Sequence, residues 1–166
     1  DGTVETEVSL SSKAVEEAAK AGEAVELPIE SVTVATDSAE AATITISAKS
    51  GSDEEVSVRL PVTEASESTV VVLVNADGSE TVIMDTKLDE NGLVVDVPDG
   101  AVVKVVDNAV EFTDVTKKDW EHKAVNYTSA RGLMQGVSGE ENVFSLDSNT
   151  TFTQLVTMLA RLDGVD

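Results

Sequence analysis

Val70-Val71-Val72-Leu73-Val74, then Asn75-Ala76-Asp77-Gly78, then Thr81-Val82-Ile83-Met84, is the passage that decides how this chain folds. Five successive apolar residues bounded by a turn suit a central strand covered on both faces. The Asp-Gly step turns the chain back into a second strand. Downstream, turns at Asn91-Gly92 and Asp99-Gly100 set off Leu93-Val94-Val95-Asp96-Val97 from Ala101-Val102-Val103-Lys104-Val105-Val106. Upstream, Ile44 and Ile46 alternate with Thr43, Thr45 and Ser47, while Val56, Val58, Leu60 and Val62 alternate with Ser57, Arg59 and Pro61. Both read as half-buried strands, and residues 49–55 are expected to join them as a hairpin. Val4 to Ser9 alternates in the same way. Residues 12–21 predict a short helix, capped by Ser11 or Ser12, lined by Val15, Ala18 and Ala19, and ended by Gly22. The expectation is an α+β chain whose first part is an antiparallel β-sandwich-like domain or meander with one embedded helix.

The 166 residues carry a formal charge of −21, unevenly placed. Residues 1–111 hold 24 acidic and 6 basic side chains, a net of −18, whereas residues 112–166 hold 8 and 5, a net of −3. This shift predicts a boundary near residues 108–112, with an acidic β-rich domain at 1–111 and a separate unit at 112–166. Nucleic acid is disfavoured as a partner, because binding there rests on Lys and Arg displacing counterions. Membrane insertion is also disfavoured, since no run approaches 18 apolar residues. Without cysteine, disulfides, thiolate metal sites and Cys nucleophiles are excluded. The first residue is Asp1, with no Met or signal peptide, which suggests a processed or excised piece. All five aromatics, Phe112, Trp120, Tyr127, Phe144 and Phe152, lie in the last third. The acidic part therefore lacks the ring platform that sugar binding usually needs.

That last third has its own order. Asp119 can cap a helix that Gly132 stops, with Trp120, Ala124, Val125 and Thr128 building one buried face. Thr151 followed by Gln154 is a capping-box signal for a second helix. Phe152, Leu155, Val156, Leu159 and Leu162 give that helix an apolar stripe. Two short helices joined by a Gly- and Ser-rich loop cannot bury much alone.

The spacing Phe112-Thr113-Asp114-Val115, Trp120, Ala124-Val125, Tyr127, Gly132-Leu133, Gly136, Phe144-Ser145, Thr151-Phe152-Thr153-Gln154 and Met158-Leu159-Ala160-Arg161 resembles one S-layer homology motif. The family pattern is Phe-x-Asp-Val, a Trp-led helix, Gly-x-x-x-Gly, Phe-x-Pro, then Thr-Arg-Ala-Glu opening a second helix. Leu146 stands at the Pro position and Phe152 at the Arg position. The resemblance implies a small helical unit that packs with other S-layer homology motifs, in cis or in trans, and binds pyruvylated secondary cell-wall polysaccharide between them. It also implies an extracellular place at the cell wall or cell surface. By the same resemblance, Asp114, Trp120, Gly136 and Gln154 fall at positions that shape the polysaccharide groove or its scaffold. The β-rich part is similar to the regions preceding such motifs in large Firmicutes surface proteins, and so to a Gram-positive setting.

No catalytic constellation accompanies these features. His122, the single histidine, sits beside Trp120 where a solvent-facing role is expected, and it cannot assemble a zinc site alone. No Gly-x-Ser-x-Gly elbow is present for a serine nucleophile. Asp53-Glu54-Glu55, Asp77-Gly78-Ser79-Glu80 and Asp89-Glu90-Asn91 could attract calcium but lack the spacing of a dedicated loop. No metal and no cofactor are expected, and the role expected is non-enzymatic anchoring of a larger surface protein. Two rivals remain. The β domain could bind a protein partner as an adhesin or scaffold by edge-strand addition, with a degenerate, purely structural motif behind it. Alternatively, the chain could be an enzyme accessory or degenerate hydrolase domain.

Overall fold

The structure is a computed structural model that describes residues 5–48, 55–118, 120–137 and 142–165. The passage at 70–74 forms β7 (Thr69–Val74), and Val70, Val71 and Val72 are all buried. Val71 joins a large core, while Val70 and Val72 join a smaller one on the opposite side of the strand. The strand is thus covered on both faces. It forms a hairpin with β8 (Glu80–Val82), pairing Val72 with Val82 and Val74 with Glu80. Gly78, at φ +83°, supplies the left-handed turn residue that this connection needs.

Two further strands continue the hydrogen-bonded run on the other side of β7. These are β11 (Val102–Asp107), antiparallel to β7, and β4 (Thr43–Ser47), antiparallel to β11. β1 (Glu5–Ser9) lies parallel to β4 and closes a five-stranded sheet in the order β1-β4-β11-β7-β8. Between β1 and β4 the chain forms α1 (Ser12–Ala21), capped by Ser11, whose hydroxyl accepts from the Ala14 amide, and ended by Gly22 at φ +69°. Val15 and Ala18 of this helix pack on the large core. β2 (Val25–Glu26) and β3 (Val32–Thr33) follow it. A second sheet runs β2-β5-β10-β9, from β5 (Val56–Leu60), β9 (Lys87–Asp89) and β10 (Gly92–Val97), and β3 pairs with β6 (Val62–Thr63).

The expected hairpin between residues 43–47 and 56–62 does not form. β4 and β5 belong to different sheets, and most of the connection, 49–54, lies outside the described residues. Ile44 and Ile46 instead share the large core with Val56, Val58 and Leu60. Period-two alternation says that one face is buried, but it does not say which strand lies alongside. The same reason governs Asp99-Gly100. That turn does not close a hairpin but carries the chain from β10 in one sheet to β11 in the other. Asp99 accepts from the Ala48 amide at 2.7 Å, and the Gly100 amide donates to Ile46 O at 2.8 Å, which ties the corner to the end of β4. The sheets are also mixed: β1/β4, β2/β5 and β3/β6 are parallel. A parallel pair needs a long crossover, which α1 and the strands after it provide.

The side chains of Val58, Leu60, Leu93 and Val97 are fully buried, each contributing roughly 1.5–3 kcal/mol. Gly92 marks the closest backbone approach in this core: at φ +126°, a Cβ there would lie 2.1 Å from Leu60 O.

The last third holds α2 (His122–Ala130) and α3 (Phe152–Leu162). α2 starts after Trp120, and Glu121 occupies its first cap without a side-chain hydrogen bond; Asp119, the expected cap, lies outside the described residues. The expected buried face is therefore corrected. Trp120 is 87% exposed and Ala124 is exposed, whereas Val125, Ser129 and Ala130 are buried. Ala130 seats in the smaller core against Val70, Val72 and Val106. α3 carries the capping box read from Thr151 and Gln154, but Phe152, Leu155, Val156, Leu159 and Leu162 face outward. No described helix is long and apolar enough to cross a membrane.

Candidate functional site

Arg131 sits where α2 ends, and it is 1% exposed. Its Nε and Nη2 donate to Thr86 O at 3.2 and 3.0 Å, Nη1 to Glu67 O and Tyr127 O at 3.0 and 3.2 Å, and Nη2 to Thr69 O at 3.3 Å. The Tyr127 ring lies 3.7 Å from the guanidinium carbon. Burial pushes the guanidinium pKa down and Tyr127 pushes it back up, yet arginine stays charged at any ordinary pH. Gly132, at φ +71°, then releases the chain into the loop that follows.

That loop is folded back by Asp114. Its two carboxylate oxygens accept from the Phe144 amide at 2.8 Å and the Ser145 amide at 2.6 Å. The Phe144 amide, helped by that of Ser145, holds the Asp114 carboxyl below the usual carboxylate range. Phe112 and Phe144 meet edge to face at 5.1 Å, and the Val137 amide donates to Val143 O at 2.8 Å. Gly136 lies under this closure at φ +78°, where a Cβ would come within 2.5 Å of Val143 O and 3.0 Å of Phe112. Only glycine fits there without moving backbone.

Two clefts flank the 144–146 turn, and Ser145 and Leu146 line both. The first, about 480 Å³, runs between residues 133–137 and α3, with Gly136, Gln154, Met158 and Arg161 on its walls. The second, about 630 Å³, is lined by Asp114, Lys118, Trp120, Glu121 and Asp147. The four residues singled out by resemblance are thus divided in pairs: Asp114 and Trp120 in one cleft, Gly136 and Gln154 in the other. Gln154 Oε1 accepts from the Thr151 amide at 2.8 Å, so the residue also serves the start of α3. Arg161 Nη1 donates to Leu133 O at 3.1 Å and holds α3 to the end of α2. His122, expected to face solvent, is half-buried, 3.5 Å from Asn126.

Chemically, the second cleft offers an open indole face, one ammonium and three carboxylates, a set that can stack against a ring and accept hydrogen bonds from hydroxyl groups. The acidic loops considered for calcium are otherwise engaged. Asp77 accepts from the Ser79 amide and hydroxyl, and Asp89 is held by Arg59 at 2.5 Å; residues 53 and 54 lie outside the described residues. Arg131 and Lys118 were not singled out from the sequence. An arginine placed directly before a helix-stopping glycine, in so acidic a chain, is the available signal for the first; Lys118 has none beyond its nearness to Trp120.

No curated protein and no solved structure matches the chain. The family model described as the S-layer homology domain matches residues 111–145, a span that includes Asp114, Trp120, Arg131 and Gly136 and stops before Gln154. Residues 111–145, which hold the Asp114 closure, the glycine beneath it and the exposed tryptophan, are thus a segment similar to the S-layer homology domain, preceded by a β-rich region.

Proposed function

We propose that this chain is a non-enzymatic anchoring and spacer piece of a larger extracellular surface protein, attached non-covalently to secondary cell-wall polysaccharide through its S-layer homology segment. The match at residues 111–145 carries the reading. The second cleft supports it, because Trp120 offers an open ring beside Lys118. The outward stripe of α3 supports a second part, that further motifs of the same kind pack against it in cis or in trans. We read the two sheets sharing one core as a β-sandwich-like spacer. Edge-strand addition to a protein partner is less favoured. The edge strands β8 and β9 are three residues long and carry Glu80, Lys87 and Asp89, β2 has two residues, and β1, the longest of these edges at five, carries Glu5 and Glu7.

Co-sedimentation with purified cell-wall sacculi tests the proposal. The chain should pellet with intact sacculi, fail to pellet after polysaccharide extraction, and lose roughly tenfold in affinity on Trp120→Ala. Equal pelleting with stripped sacculi would sink it.

A further inference from the structure

We infer that Arg131 clamps the S-layer homology segment and the β-rich domain into one mechanical body, so that whatever holds the segment also sets the orientation of both sheets. Linked domains by default move relative to one another. Here the guanidinium makes five hydrogen bonds to four carbonyls, drawn from the chain before β7, from β7 itself, from the β8–β9 connection and from α2. Thr86 O receives three donors, two from Arg131 and one from the Tyr127 hydroxyl at 3.3 Å. Asn108 Nδ2 donates to Ala130 O at 2.5 Å, and Ala130 packs on Val70, Val72 and Val106.

Among the described residues no carboxylate contributes a hydrogen bond to this buried cation; carbonyl oxygens and one ring face solvate it. Sliding α2 by the length of a single hydrogen bond would leave a buried charge short of its acceptors and the acceptors short of a donor. Such a cost rises steeply from the first movement. A joint of this kind holds or opens as a whole and does not bend like a hinge. The exposed Lys123–Glu67 pair at 2.9 Å crosses the same junction and adds little. The inference concerns the junction alone and stands whether or not the segment binds a wall polymer.

Native-state hydrogen exchange of the whole chain, read by mass spectrometry, tests it. Amides of α2 and of β7 should exchange through a shared opening, with protection within roughly a factor of ten. Arg131→Ala should lower α2 protection by about tenfold to hundredfold or more while the β5–β10 ladder keeps its own. Glu67→Ala should leave both within about twofold. If α2 in the unaltered chain opens about a hundredfold more readily than β7, or if Arg131→Ala leaves the two elements coupled, the clamp is wrong. Should Arg131→Ala fail to fold, Arg131→Lys, which keeps the charge on one donor group, takes its place, and the unaltered chain still decides.

Discussion

The two helices of the last third have opposite fates. α2, His122–Ala130, is polar along most of its length yet docks on the sheet through Val125, Ser129 and Ala130. α3, Phe152–Leu162, has the stronger apolar stripe yet leaves Phe152 80% exposed and Leu159 57% exposed. Apolar periodicity states what a helix could bury; it does not supply the surface that buries it. α2 found a surface because Ala130 is small enough to approach Val70 and Val72 and because Arg131 meets a ring of free carbonyls. α3 is held at one end through Arg161, and its stripe stays exposed.

The contrast can be broken most severely at Arg131. Arg131→Ala strands several buried carbonyls and should cost the docked α2 about 3 kcal/mol, read by native-state hydrogen exchange of its amides, while the β5–β10 ladder keeps its protection. Val125→Ala, on the docked face of α2, should cost about 2 kcal/mol by the same measurement. Thr151→Ala removes the cap of α3 and should cost that helix about 1 kcal/mol, read as lost helicity by circular dichroism, without loosening the sheets. Leu159→Gln on the open stripe should change the stability of the chain by less than about 0.5 kcal/mol, and a larger loss would mean that α3 is covered after all.

The smallest effect is expected from acid. The folded pKa of Asp114 is lowered by the Phe144 and Ser145 amides, so its contribution is complete above the unfolded value of about 3.9. It is lost as pH falls through the lower folded value. Titrating the two amides by NMR should show a common midpoint below about 3.9, and a midpoint at or above it would remove Asp114 as the staple of the loop.

Much of this was legible in residue order. The strand at 70–74, its Asp-Gly hairpin, α1 with its Ser and Gly ends, and the Thr151–Gln154 capping box all depend on neighbours a few residues apart. The errors share one cause. The hairpin expected across residues 49–55 became a connection between sheets, as the turn at Asp99-Gly100 also is, because alternation reports a buried face and not a partner. Trp120 lies off the buried face because it precedes the start of α2 at His122 by two residues, where helical spacing no longer holds.

At the candidate site, Asp114, Trp120 and Gly136 could be marked by resemblance, but their division between two clefts depends on how residues 144–146 fold back. Residue order alone determined the long strands at 43–47, 56–60, 69–74, 92–97 and 102–107, the capped helices at 12–21 and 152–162, and that an S-layer homology segment follows an acidic β-rich part, because periodicity, turn chemistry and spacing are local. Only the tertiary structure decided which sheet each strand joins, that α2 is buried while α3 is bare, and that Arg131 lies at the junction, because each depends on surfaces brought together from residues 22 to 64 positions apart.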